Sequence, residues 1–117
     1  MTPLEARSWA EAVLAPEPDP IVDPSLPSVA DRLLAQPLRP RVRALVEVRR
    51  DQARAWYPDE LRVGNGRDPW RDLVQELVDA LMYAEQTGDA AIAYGAEALL
   101  EHVITRATMR GELGRRS

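Results

Sequence analysis

Apolar residues recur at a helical period in three stretches of the chain. At about 100° per residue, Val42, Leu45, Val46, Ala53 and Trp56 share one face, interrupted by Arg49. A second stripe runs through Trp70, Leu73, Val74, Leu77, Leu81 and Ala84, and a third through Ile92, Ala96, Leu99, Leu100, Val103 and Ala107. Punctuation between the stripes sets their limits. Pro58 ends the first, and Gly64-Asn65-Gly66 signals a turn. Asp68 is a good N-cap with Pro69 in the first helical position; Gly88 closes that helix and Asp89 opens the next. The spacing therefore predicts helices over about residues 38–57, 69–87 and 89–109. The last two are joined so tightly that they must be antiparallel neighbours.

The segment ahead of residue 38 reads differently. Eight of the ten prolines lie in the first 40 residues. Thr2, Pro3 and Glu5 form an N-cap, first helical position and capping-box acid, so a short helix runs through Trp9 and Val13 and stops before Pro16. Pro16-Glu17-Pro18-Asp19-Pro20 is expected to be extended, because every second residue lacks an amide donor. Residues 28–36 fit another short helix, with Ser28 and Asp31 as its cap pair and Pro37 as its end. The division expected is an arm over 1–37, a helical core over 38–110 and a fraying tail over 111–117. The fold class is all-α: a three-helix core with a short N-terminal helix and a Pro-rich arm.

Composition sharpens this picture in three ways. There is no Phe, and aromatic residues make up 5%, so Leu, Val and Ala must build the core. Three helices in a chain of 117 residues are marginal alone, so a homo-oligomer is expected to complete them. A net charge of −4 argues against non-specific nucleic-acid binding. All fifteen basic residues are Arg; codon bias toward GC explains this, though planar forks also suit phosphate or carboxylate. With no Cys, thiol catalysis and thiolate zinc sites are excluded. Residues 1–5 lack the basic and apolar regions of a signal peptide, and no apolar run reaches membrane-span length. The expected location is the cytoplasm, without a membrane partner.

The acidic residues carry the most chemistry. Asp72, Glu76 and Asp79 fall at i, i+4 and i+7, with Tyr83 at i+11, all in one stripe with no Arg among them. Like charges at this spacing repel by a few tenths of a kcal/mol per pair. They are then either solvated, as on any amphipathic helix, or shared with a cation such as Mg²⁺. Glu47 and Asp51 add an i, i+4 pair, with Arg43, Arg50 and Arg54 beside them, and Glu97 and Glu101 add another. Glu47 and Asp51 point away from their helix's apolar face, so a shared site needs that side covered as well; Ala44, Val48 and Ala55 could pack there. His102 lies off its stripe and reads as a surface histidine.

Residues 42–86 resemble the MazG-like all-α nucleotide pyrophosphohydrolases, in particular short phage-type and actinobacterial relatives. The resemblance rests on Arg41-Val42-Arg43-Ala44-Leu45-Val46-Glu47, on Asn65-Gly66-Arg67-Asp68 and, most of all, on the run from Trp70 to Tyr83. Glu76 and Asp79 match the family's second acidic motif, Glu-x-x-Asp. Its first, Glu-Glu-x-x-Glu, has only Glu47 and Asp51 as counterpart. Another register would take Glu76 and Asp79 as the first motif and Glu97 and Glu101 as the second. The resemblance implies a Mg²⁺-dependent hydrolysis of a nucleoside triphosphate to monophosphate and pyrophosphate. Glu76 and Asp79 would then be catalytic, Glu47, Asp51, Glu76 and Asp79 metal ligands, and Arg50, Arg54 and Arg67 phosphate contacts. The competing expectation is a non-catalytic helical interaction or assembly protein, with the Pro-rich arm docking on a partner. Three carboxylates converging from two helices would favour the enzyme; scattered ones would favour the interaction protein.

Overall fold

The computed structural model describes residues 1–56 and 60–113. The described residues form five α-helices: α1 (Pro3–Val13), α2 (Val29–Leu34), α3 (Pro40–Trp56), α4 (Pro69–Gln86) and α5 (Ala90–Met109). Strand-type pairing among them is limited to an isolated antiparallel bridge between Ser28 and Arg62. The protein is therefore all-α. No described helix is long and apolar enough to cross a membrane. The chain gathers into two compact units, one of Met1–Glu17 with Asp68–Ser117 and one of Pro18–Arg67, a division that cuts across the change in composition near residue 38.

The first unit holds α1, α4 and α5. Thr2 Oγ1 accepts the Glu5 amide at 3.1 Å, starting α1. Asp68 Oδ1 accepts the amides of Trp70 (3.0 Å) and Arg71 (3.3 Å), and Asp89 Oδ1 those of Ala91 (3.0 Å) and Ile92 (3.2 Å). Gly88, at φ 74°, lets the chain leave α4 and turn back at once, so α4 and α5 form an antiparallel hairpin. Val13, Val74, Val103, Ala107 and Leu113 form the buried cluster, flanked by Trp9, Trp70, Leu77, Val78, Leu100 and Ile104. It lies where α1 meets the N-terminal half of α4 and the C-terminal half of α5. The three long helices stand where the periodicity places them, but the cluster takes its third side from α1, and α3 contributes no buried residue.

Leu113 changes the expectation for the tail. Gly111, at φ 73°, ends α5 in a Schellman motif, its amide donating to Thr108 O (3.0 Å) and the Glu112 amide to Ala107 O (2.9 Å). That turn folds Leu113 back into the cluster, 5% exposed. The rest of the tail, residues 114–117, and Pro58, the expected stop of α3, lie outside the described residues.

The second unit holds the Pro-rich arm, α2, α3 and the segment up to Arg67. Ser28 caps α2, its Oγ accepting the Asp31 amide at 3.2 Å. Helix α3 begins at Pro40, two residues later than expected, because a residue before proline is pushed out of the helical region. The arm is pinned by backbone bonds: Ile21 N–H to Asn65 O (2.7 Å), Val63 N–H to Pro27 O (2.9 Å) and Val29 N–H to Leu61 O (3.0 Å). Gly66 takes φ 84° beneath Ile21, where a Cβ would lie 3.1 Å from Ile21 Cδ1.

Arginine supplies what proline removes. Proline lacks a donor but keeps its carbonyl, so a Pro-rich arm is left with acceptors to satisfy. Arg62 Nη1 donates to Pro24 O (3.2 Å) and Leu26 O (2.7 Å), and Arg67 Nη1 to Pro18 O (3.1 Å). The same fork closes helix ends. Arg43 reaches Leu34 O (2.9 Å) and Gln36 O (2.6 Å) past α2. Arg71 reaches Ala12 O and Ala15 O (3.0 Å each) and Val13 O (3.3 Å) past α1. The last carbonyls of a helix lack an i+4 amide, and the guanidinium supplies a donor in its place, beside the Ala15 amide on Ala12 O (3.4 Å) and the Leu38 amide on Gln36 O (2.9 Å).

Candidate functional site

Helix α4 carries the acidic stripe on the side away from the buried cluster. Glu76 and Asp79 are exposed, and Asp72 is half-buried. Neither Glu76 nor Asp79 forms an ion pair with a described residue. Asp79 lines an open hollow of about 330 Å³ together with Met82, Tyr83 and Gln86. Tyr83, 70% exposed, stands over it without being packed into the core. The hollow thus joins a carboxylate, a phenol and an amide to one thioether, a surface able to accept and donate hydrogen bonds but not one that encloses a ligand. His102 is exposed on α5, as its position off the stripe led us to expect.

The other acidic pair sits in the other unit. Glu47 is exposed on α3, and Asp51 accepts from Arg50 Nε at 3.3 Å. Arg50 and Arg54 both reach Asp31 of α2, at 3.4 and 3.1 Å. Arg54 also binds Glu60, through Nε at 3.0 Å and Nη2 at 2.9 Å. The sequence singled out Arg50, Arg54 and Arg67 for phosphate; each has at least part of its guanidinium on a carboxylate or carbonyl of the same unit. The structure brings Arg50, Asp51 and Arg54 together. Among the described residues, no three His, Asp or Glu side chains are placed to hold a metal ion.

Glu60 was not singled out by sequence reasoning. Its side chain is 7% exposed and receives Ser28 Oγ at 2.8 Å, both Arg54 contacts, and Arg62 Nη2 at 3.5 Å. Its hydrogen bond with Arg54 holds that guanidinium above its ordinary pKa. The cluster locks the arm, α2 and α3 into one unit, and its one advance signal is the crowding of Arg54, Glu60 and Arg62 in the sequence. Near it, Asp23 accepts the Ser25 hydroxyl (2.7 Å) and amide (2.9 Å), which lower its pKa below the usual carboxylate range.

The remaining unusual surface is apolar. Helix α3 turns Arg43, Val46, Arg50 and Ala53 partly inward. Its Val42, Leu45, Val48 and Trp56 stay 45%, 71%, 55% and 65% exposed. On the hairpin, Met82, Ile92, Tyr94 and Leu99 are also at least half exposed. No family model, curated protein or solved structure matches the chain.

Proposed function

We propose that this chain is a non-catalytic helical interaction or assembly protein of the cytoplasm, functioning with its apolar helix faces covered by a partner. The observation that carries this reading is α3. A helix of 17 residues with no buried residue gains little from its own unit, and leaving Leu45 and Trp56 in water forgoes about 1.5–3 kcal/mol for each large side chain. Four large apolar side chains exposed on one half of a helix are a surface suited to a partner. Glu47, Glu76 and Asp79 are exposed to solvent, as on any amphipathic helix. On the arm, Ile21 and Val22, both more than half exposed, add a second apolar contact, while the arm's backbone stays pinned. A second copy of the chain is one way to cover these faces.

The test compares wild type with the double variant Leu45→Glu, Val48→Glu by sedimentation velocity and by binding of a hydrophobic dye. Wild type is expected to associate or to bind the dye. The variant should lose both while its far-UV circular dichroism is unchanged. A wild-type chain that stays monomeric at every concentration and leaves the dye dark would remove the reading.

A second reading is favoured by Asp79 and Tyr83 at the hollow, with Glu76 one turn away. Here the chain is a pyrophosphohydrolase of the MazG-like kind, acting on a nucleoside triphosphate, with Glu76 and Asp79 providing two carboxylates toward Mg²⁺ and another helix a third. The ion would supply charge neutralisation of the phosphates. The assay is pyrophosphate release from a panel of triphosphates with Mg²⁺ or Mn²⁺, with and without EDTA. This reading expects metal-dependent release that drops by about 100-fold or more in Glu76→Gln. Absence of release from every triphosphate leaves the interaction protein standing alone.

A further inference from the structure

The open face of α3 has a definite electrostatic character. With about 100° per residue, the half of the helix centred on Leu45 carries Arg41, Val42, Leu45, Val48, Arg49, Gln52, Ala53, Ala55 and Trp56. It contains no carboxylate. Glu47 and Asp51 stand on the opposite half, where Asp51 meets Arg50. The arginines of α3 divide in the same way. Arg43 is spent on the carbonyls behind α2, and Arg50 and Arg54 on Asp31, Asp51 and Glu60. Arg41 and Arg49 are exposed within the apolar stripe; Arg49 makes a 3.4 Å contact with Gln52, and neither meets a carboxylate among the described residues.

We infer that this face of α3 docks an acidic amphipathic helix of a partner protein. The inference rests on the interaction reading above and adds the chemistry of the partner to it. Leu45, Val48 and Trp56 present apolar side chains at the spacing that a helix laid alongside can interdigitate, Val42 widens the strip, and Arg41 and Arg49 stand within it, one turn on either side of Leu45, as unneutralised cations. A partner helix with Leu or Ile along one face and Glu or Asp bordering those residues would cover the apolar side chains and pair both guanidinia. A basic helix would bring like charges together, and an uncharged one would leave the arginines beside a dehydrated surface without a counter-charge.

The experiment uses the full chain and synthetic fluorescent peptides of about 18 residues, close to α3 in length. One has a leucine face flanked by Glu; a second has the same leucines flanked by Arg; a third is the Glu peptide broken by two prolines. Fluorescence anisotropy should show the Glu peptide binding about tenfold or more tightly than the Arg peptide, and the proline peptide not at all. Raising salt should weaken the binding. Leu45→Glu and Arg49→Glu should each weaken it about tenfold or more, with unchanged circular dichroism, since both side chains are exposed. Equal affinity for Glu and Arg peptides, or binding unaffected by Leu45→Glu, would overturn the inference. So would sedimentation showing a wild-type dimer that Leu45→Glu dissociates, since the face then belongs to a second copy; the interaction reading survives that result. Loss of peptide binding, self-association and dye binding together removes both.

Discussion

Replacing Glu60 by alanine is expected to lower stability by about 3 kcal/mol, more than most single substitutions cost. Two arginines and a serine converge on this one carboxylate, which is 7% exposed. Its removal leaves Arg54 and Arg62 facing each other across a partly buried space, with the Ser28 hydroxyl lacking its acceptor. Glu60→Gln should fall between wild type and alanine, because the amide oxygen can still accept but no longer offsets two positive charges. Urea unfolding followed by circular dichroism measures the loss, and hydrogen exchange locates it. The amides of Ile21, Val29 and Val63, which tie the arm down, should lose protection first. Equal stability of wild type and alanine would mean that the cluster adds nothing to the backbone pairing around it.

Ala107→Asp is expected to prevent the first unit from folding. Ala107 is 0% exposed, at the centre of the cluster made by Val13, Val74, Val103 and Leu113. A carboxylate there has no described donor within the cluster and must either lose its hydration or drive the helices apart, a cost of about 4 kcal/mol or more. Domains of ordinary stability have about 5–15 kcal/mol in total, and this cluster holds five small or medium side chains. Ala98→Asp, on the exposed side of the same helix, should shift stability by about 0.5 kcal/mol or less. Thermal melts of the two variants give the comparison. A folded Ala107→Asp chain with an ordinary melting temperature would mean that the cluster is not the centre of the unit.

Those two sites show where sequence reasoning works and where it stops. The caps at Asp68 and Asp89 and the break at Gly88 were legible, because capping is a local matter of one side chain and the next two amides. The inward side of α3 was not. Periodicity groups Val42, Leu45, Val46, Ala53 and Trp56, yet α2 offers that helix Asp31 and the carbonyls of Leu34 and Gln36. Such partners draw in Arg43 and Arg50, and Val42, Leu45 and Trp56 are left outside. On α5, likewise, Ala96, Leu100, Val103 and Ala107 turn inward while Ile92 and Leu99 do not. Hydrophobic pattern ranks faces by polarity and is blind to which polar partners a neighbour supplies.

The candidate site was half legible in the same sense. The placement of Glu76, Asp79 and Tyr83 along one side of α4 follows from spacing alone, whereas the hollow beside Asp79 depends on rotamers that spacing does not contain. The arginine-only composition looked like a codon effect. In the structure Arg43, Arg62, Arg67 and Arg71 each hold carbonyls in stretches where prolines or helix ends leave acceptors unmatched. A lysine in any of these positions keeps the charge but cannot reach two acceptors with one planar group.

The division of the chain into two units has a consequence in time. Residues 18–67 are contiguous, so every partner in that unit has left the ribosome once Arg67 has. Helix α1 is made before residues 18–67, yet its partners Val74, Val103 and Ala107 are made after them. Closing so long a loop has an entropic cost that grows with its length. The second unit removes most of it in advance, because once folded it holds Pro18 O 3.1 Å from Arg67 Nη1 and so delivers the two ends of the gap side by side. Synthesis from the N-terminus thus allows the inner segment to assemble before the outer one, with α1 seated only after the residues that follow it have been made.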